Sequence, residues 1–374
     1  MSVIIDKFGD VVSKSIAKKP KRALNLLKAG YFASGQQMKY LPGRNLLPHQ
    51  KYAAVMSNSA IRAPLRRPGH SAVVSVFLPC EMLQAMDITP QFTEGLACYF
   101  TGAGCEGAFI RAAENRGVPR TYCSYHKALL GAAMAGVLPR PQMIVNTTLA
   151  CDANLGTFRT LAELWQIPQF TVDVPETASG NALAYVSEQL RDLKGFLEEV
   201  TGKMLPEEEL KAVIRRENRS IRLYREFFSI LSEKRLRNDM TSEMYKIFFT
   251  HVLLGTKEAE RYFELLLEDA KAAPSAGNEI RLLWAHSLPF WQDSVRKAVF
   301  QNGVSQLLCC DMNLDSVAEL NEDRPYESMA QILLANKMGG PGGRRLDALL
   351  EAAQVLRADG VVYFCHWGCK QTLG

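Results

Sequence analysis

Hydrophobic positions along the 374-residue chain change their period several times, and each change marks an element. Near the start, Val3, Ile4, Phe8, Val11, Val12 and Ile16 recur at helical spacing, with Asp6, Lys7 and Asp10 between them. Pro42, Pro48, Pro64 and Pro68 then break the period, so residues 1–68 read as a helical and then irregular segment. The run "AVVSVFL" (72–78), closed by Pro79, predicts a strand, and "CEMLQAMD" a helical turn after it. Residues 94–116 carry helix-compatible spacing that ends at Gly117-Val118-Pro119. "KALLGAAMAG" (127–136) is a small-residue helix, stopped by Pro139 and Pro141. "QMIVNTT" (142–148) reads as a buried strand, "ACDANLGTFRTLAELW" as a helix and "IPQFTVDV" (167–174) as a strand. Strands alternating with helices argue a doubly wound parallel sheet.

From 181 to 273 the strand signal almost disappears. Long amphipathic stretches such as "EEELKAVIRRENRSIRLYREFFSILSEKR" predict helices with charged outer faces. After the linker "PSAGNE" (274–279), strand patterns return at "IRLLWAH" (280–286), "VSQLLCCDM" (304–312) and "GVVYFC" (360–365), with helices between them. One of those helices is expected over "FWQDSVRKAVFQNG" (290–303). The expected fold class is α/β. Residues 1–68 form an N-terminal segment, 69–200 a first α/β domain, 201–277 a helical region and 278–374 a second α/β domain.

Composition narrows the class. The chain is 47% hydrophobic and 22% charged, which suits a soluble globular protein. Its apolar runs fall short of the roughly 18–20 residues a membrane helix needs. The charged positions near the N-terminus interrupt any secretory leader, and a cytoplasmic protein without a membrane partner is expected. A net charge of +5 is too weak to argue for nucleic acid. The one basic cluster, Lys18-Lys19-Pro20-Lys21-Arg22, reads as a solvated helix junction.

Several catalytic patterns are missing from the sequence: there is no P-loop, no H-E-x-x-H and no G-x-S-x-G. "GAGCEG" (102–107) is a literal G-x-G-x-x-G, but a helix fits before it as well as a strand. No acidic residue follows at the distance a ribose contact requires, so close helix packing is the simpler reading. The nine cysteines are odd in number and irregular in spacing, which argues against a disulfide framework. Cys123, Cys151 and Cys369 are each expected where a strand ends and a helix begins. Open parallel sheets bind ligands along that edge, and helix N-termini favour thiolate. Such thiolates suit an iron–sulfur cluster or zinc, whereas buried structural cysteines are the alternative. Cys365, alternating with Phe364, reads as a packing residue, and at least one of Cys309 and Cys310 as core.

"YCSYHKALLGAAMAG", "ACDAN", "IPQFTVDVP" and "ADGVVYFCHWGC", in this order and spacing, resemble the 2-hydroxyacyl-CoA dehydratase D-component family. That family also contains benzoyl-CoA reductase subunits and double-cubane-cluster proteins. The resemblance covers roughly residues 70–374. It implies two flavodoxin-like domains and helical segments around a [4Fe-4S] cluster held by Cys123, Cys151 and Cys369. It also matches Pro79-Cys80-Glu81 to a Pro-x-Glu segment, which makes Glu81 the acid–base candidate. Its alternative reading is a first-turn glutamate favoured by the helix dipole.

The implied activity is that of a lyase, the radical elimination of water from a 2-hydroxyacyl-CoA. One electron enters the thioester carbonyl, the resulting ketyl expels the hydroxyl, and the proton at C3 becomes acidic. The resemblance implies that the electron comes from an ATP-hydrolysing activator protein with its own iron–sulfur cluster. It also implies anaerobic chemistry and a second homologous subunit or a homodimer. The absence of a nucleotide motif fits ATP being handled by that partner. Family members continue past the last cysteine motif, so an incomplete C-terminal domain is expected. Two alternatives stay open: an ATP-coupled low-potential reductase of the benzoyl-CoA reductase or double-cubane type, and a non-catalytic electron-transfer subunit. A double-cubane cluster would draw further ligands from Cys80, Cys98, Cys105, Cys309 and Cys310.

Overall fold

The computed structural model describes residues 3–300, 303–315 and 317–373. Three helices open the chain: α1 (Val3–Ile16), α2 (Pro20–Tyr40) and α3 (Pro48–Arg66). The segment is more regular than its prolines suggest. Pro48 occupies the start of α3, where the missing N–H costs nothing, and Pro64 falls in its last turn.

Four parallel strands form the first sheet, in the order β2-β1-β3-β4. They are β1 (Ser71–Val74), β2 (Thr89–Phe92), β3 (Met143–Thr147) and β4 (Gln169–Val172). All residues of β1 and β3 are buried, as strands covered on both faces must be. β2 was not expected, because "TPQF" is short and contains Pro90. It is an edge strand, the one place where a proline fits a sheet.

The helices of this region are α4 (Glu81–Ala85), α5 (Thr93–Gly102), α6 (Glu106–Glu114), α7 (Ser124–Met134) and α8 (Asp152–Trp165). The single helix expected over 94–116 is thus two, α5 and α6, broken where Gly104 turns at φ +67°. "GAGCEG" follows helix α5 and serves packing. A Cβ on Gly9 of α1 would stand 2.2 Å from the Gly104 carbonyl oxygen.

Four helices follow: α9 (Ala182–Thr201), α10 (Glu207–Leu231), α11 (Met240–Thr250) and α12 (Lys257–Ala272). The second sheet is also parallel, with β5 (Ile280–Ala285), β6 (Ser305–Cys310) and β7 (Gly360–Tyr363) in the order β6-β5-β7. Its helices are α13 (Asp293–Val299), α14 (Pro325–Ala335), α15 (Gly342–Val355) and α16 (Lys370–Leu373). Gln301 and Asn302, at the end of the helix expected over 290–303, lie outside the described residues. Both sheets therefore share the flavodoxin-like pattern in which the first strand lies between the second and third. That reversal opens a crevice at the carboxyl ends of the strands.

Buried polar ties join the helical region to the sheets. The fully buried Glu243 on α11 accepts from Asn238 Nδ2 (2.6 Å), Lys246 Nζ (2.5 Å), the Cys310 N–H (2.9 Å) and Asn313 Nδ2 (2.8 Å). Four donors satisfy both oxygens, so the charge is tolerated inside. Cys309 and Cys310 are both core residues. Cys365 is exposed, because it follows an edge strand whose alternate residues Val361 and Tyr363 face outward, so it does not pack as its alternation suggested. Among the described residues, no helix is long and apolar enough to cross a membrane.

Glycine positions give a test of the helix packing. A Cβ on Gly131 of α7 would lie 1.8 Å from the Phe109 carbonyl oxygen of α6, whereas one on Gly195 of α9 meets nothing within 4 Å. Gly131→Ala is expected to lose about 2–3 kcal/mol from overpacking. Gly195→Ala should gain roughly 0.5–1 kcal/mol from helix propensity. Urea denaturation of both variants checks the opposite signs.

Candidate functional site

Local structure brings three cysteine-bearing turns together. Cys123 and Cys151 are the N-cap residues of α7 and α8, and Cys369 directly precedes α16. Cys151 and Cys369 follow β3 and β7, as expected. Cys123 follows an irregular loop rather than a strand. Lys127 staples that loop, donating to Glu114 Oε1 and to the Arg120 carbonyl, both at 2.8 Å. Tyr122 Oη donates to the Ala153 carbonyl at 2.7 Å and lies 3.0 Å from Thr157 Oγ1, tying the Cys123 turn to α8. On the second sheet, Thr372 Oγ1 donates to the Cys369 carbonyl at 2.9 Å and to the His366 carbonyl at 3.1 Å. A Cβ on Gly368 would stand 3.3 Å from the Tyr122 carbonyl oxygen and 3.4 Å from Cys123 Cα, so the two turns touch.

All three cysteines line two adjoining spaces. The inner one, about 140 Å³, has apolar walls that include Phe77, Phe92, Ile247, Phe248 and Leu288. The outer cleft, about 800 Å³, is bordered by Lys337, Gly340, Arg345, Leu349 and Tyr363. That size suits a small-molecule site. The cysteines thus form a neck between an apolar chamber and an open cleft. Among the described residues, no three or more His, Cys, Asp or Glu side chains gather around the position of a single metal ion.

Burial decides the electrostatics. Desolvation raises Cys123 to about 11 and Cys151 to about 12, with nearby backbone N–H groups acting in the opposite direction. The helix N-termini therefore do not make thiolates of these two in the free protein, contrary to the expectation. A bound cation would supply the missing stabilisation. His126 Nε2 lies 3.7 Å from Cys151 Sγ, and desolvation lowers its pKa to about 4. His286 Nε2 lies 3.2 Å from Cys369 Sγ; desolvation, then Arg345 and His366, lower it to about 3. Asn154 on α8 is 1% exposed, lines the inner chamber and has neither amide atom hydrogen-bonded within the protein. Such an orphaned amide marks a place where a bound group completes the structure.

Two glutamates sit apart from one another. Glu81 lines neither cysteine space. It borders a separate cavity of about 50 Å³ together with Glu217 of α10 and His251. Burial raises its pKa, and burial followed by the neighbouring Glu81 charge raises Glu217 well above the carboxylate range. Glu94, which sequence reasoning passed over, borders the chamber that the cysteines line. It is half-buried, accepts from Thr93 Oγ1 at 2.6 Å, and has its pKa raised by desolvation. Its only sequence signal was an acidic residue in the first turn of a helix following a short strand-like stretch, a position many surface glutamates share. His286 and Arg345 gave no signal at all, since their partners are distant in sequence. Of the remaining cysteines, Cys98 borders the inner chamber, while Cys80, Cys105, Cys309 and Cys310 are buried outside both spaces.

A paired-sheet α/β protein with a thiol-lined neck at its strand ends is the class that fold and site define. A family model described as 2-hydroxyglutaryl-CoA dehydratase, D-component, matches residues 75–374, and the chain belongs to that family. It is a dehydratase-type component of a multi-subunit system. No curated protein matches the chain.

The Glu81–Glu217 pair makes stability depend on pH. Because both carboxyls are raised, the folded chain holds the pair's protons more tightly than the unfolded chain. Their stabilisation is full below the unfolded carboxyl value, about 4.3, and is lost as pH rises through the raised folded values. Glu217→Gln removes the repulsion and is expected to raise Tm by about 2 °C or more at pH 8. The gain should shrink toward pH 4, as thermal unfolding across that range would read; a gain independent of pH would contradict the pairing.

Proposed function

We propose that the chain is the iron–sulfur subunit of a 2-hydroxyacyl-CoA dehydratase, with a [4Fe-4S] cluster held by Cys123, Cys151 and Cys369. The observation that carries this reading is that all three thiols border the same chamber and the same cleft. Three soft sulfur donors that border the same two spaces suit an iron–sulfur cluster. The orphaned Asn154 amide supports a bound group at this position. Burial of Cys80, Cys105, Cys309 and Cys310 away from both spaces supports one cubane rather than two.

Bound there, the cluster would supply one-electron chemistry. The chain's own residues supply the rest. Phe77, Phe92, Ile247 and Phe248 give the chamber an apolar wall against which the substrate's acyl chain would pack. Glu94 presents a carboxyl on the same wall, with Thr93 fixing one oxygen. With its pKa raised by burial, the protonated carboxyl can give its proton to the leaving hydroxyl and, as carboxylate, then take the proton that has become acidic at C3, which restores the acid. We assign the acid–base role to Glu94, because Glu81 faces a separate cavity. The outer cleft, with Lys337 and Arg345 on its border, is where an acyl-CoA would enter. The electron would come from a separate ATP-hydrolysing activator, and a second homologous subunit or second copy would complete the assembly.

Anaerobic purification followed by iron and sulfide analysis tests the cluster. Roughly four of each per chain are expected. Cys123→Ser, Cys151→Ser and Cys369→Ser should each lose most of that content. Iron that stays near zero in the wild-type chain, or survives all three changes, contradicts the assignment. Glu94→Gln should keep its iron while dehydration, with the activator supplied, falls about a hundredfold or more. Glu81→Gln should fall far less in the same assay.

A further inference from the structure

The carboxyl edge of the second sheet carries a hydrogen-bonded array that ends on a cysteine sulfur. Arg345 of α15 donates from Nε and Nη2 to Asp311 Oδ2, at 2.9 and 2.6 Å. Arg345 Nη2 also lies 3.2 Å from His286 Nδ1. A guanidinium has donors only, so Nδ1 accepts there and the neutral ring carries its proton on Nε2. That Nε2–H faces Cys369 Sγ across 3.2 Å. The surrounding structure holds the ring from several sides. The Arg345 and Asp311 side chains are 11% and 5% exposed. Asp311 Oδ1 accepts from the His286 backbone N–H at 2.8 Å, and the His286 carbonyl accepts from Cys310 Sγ at 3.3 Å. His286 itself has φ +78°, a left-handed conformation that a residue with a side chain adopts only when its surroundings hold it there. Residues following β5, β6 and β7 thus meet one residue of α15 to aim one imidazole.

We propose that Asp311, Arg345 and His286 form a positioning array that fixes the His286 tautomer and delivers an Nε2–H hydrogen bond to the Cys369 sulfur. The array orients that ligand and raises the reduction potential of the cluster it helps to hold. The inference rests on Cys369 holding iron. Reduction adds negative charge to the cluster and its sulfurs, so a donor on sulfur stabilises the reduced form more than the oxidised one. The counterpart on the first sheet is weaker, since His126 Nε2 stands 3.7 Å from Cys151 Sγ. The chain therefore makes its cluster easier to reduce from one side, through a ligand whose orientation does not depend on substrate.

Three variants of the full chain, purified anaerobically, separate the possibilities. His286→Asn tolerates the left-handed backbone but is too short to place a donor on the sulfur. His286→Gln can carry an amide N–H near the Nε2 position. Arg345→Gln touches no sulfur; it frees the tautomer and also removes the positive charge paired with Asp311, and both changes lower the potential. Iron content and midpoint potential by redox titration are the readouts. His286→Asn is expected to keep its iron and to lower the potential by about 59 mV, a tenfold change in a one-electron reduction equilibrium. His286→Gln should recover at least half of that shift, and Arg345→Gln should move the potential in the same direction by less. If His286→Asn loses iron, the comparison of Arg345→Gln and His286→Gln with the wild type decides. A potential equal to the wild type in Arg345→Gln or in iron-loaded His286→Asn overturns the array, as does failure of His286→Gln to differ from His286→Asn. A wild-type chain without iron overturns the cluster reading itself, and the array's electronic role with it.

Discussion

The close approach of two turns, one from each sheet, is the constraint on which the site depends. A Cβ on Gly368 would stand 3.3 and 3.4 Å from the Tyr122 carbonyl oxygen and Cys123 Cα, a tight contact between the two turns. That contact sets the distance between the loop after β7 and the start of α7, and so between Cys369 and Cys123. Tyr122 extends the tie to α8 through the Ala153 carbonyl, which brings in the Cys151 turn. Three segments more than 200 residues apart at their extremes are thereby held around one neck. A side chain at 368 would press these turns apart by a few tenths of an ångström.

Burial accounts for most of what the site can do. The two N-cap thiols sit where a helix dipole should favour thiolate, yet desolvation outweighs it and raises both. Burying a charge costs more than a single helix end returns, which is why a thiolate at this neck calls for a bound cation. The same apolar enclosure raises Glu94 on one wall and keeps the two histidines beside the sulfurs neutral. Neutral imidazoles, thiols and one elevated carboxyl thus share one largely apolar wall. The outer cleft is more polar and gives such a chamber its access.

Elsewhere, buried charge serves cohesion. Glu243 with its four donors joins α11 to the end of β6, and His251 with Asp315 joins the same helix to the loop beyond β6 at 3.1 Å. His49 Nδ1 and Asp269, at 2.7 Å, tie α3 to α12. The first two ties hold α11 to the second sheet, and the third holds the N-terminal helices to the helical region. Glu81 stands apart from these ties, because it meets a like-charged group. Its partner, Glu217, lies on the longest helix, and the pair borders a cavity that does not reach the cysteines.

The alternation of strand and helix, the long helices between two α/β regions and the ends of β3 and β7 were legible in the chain, because burial on both faces imposes continuous apolar runs on parallel strands. The order and spacing of the cysteine motifs likewise marked the family without any coordinates. What the chain could not display were features whose partners lie far apart in sequence. β2 was hidden by Pro90, which only an edge position permits. α3 was hidden by prolines that its first and last turns accommodate. Glu94 rather than Glu81 at the chamber wall, and His286 aimed by Arg345 and Asp311 at Cys369, follow from how two sheets meet. Local pattern determines which segments form strands and helices, since it depends on neighbours three or four residues away. The convergence of side chains at the neck was decided by tertiary structure alone, since it depends on contacts between segments that the chain separates by as many as 246 positions, from Cys123 to Cys369.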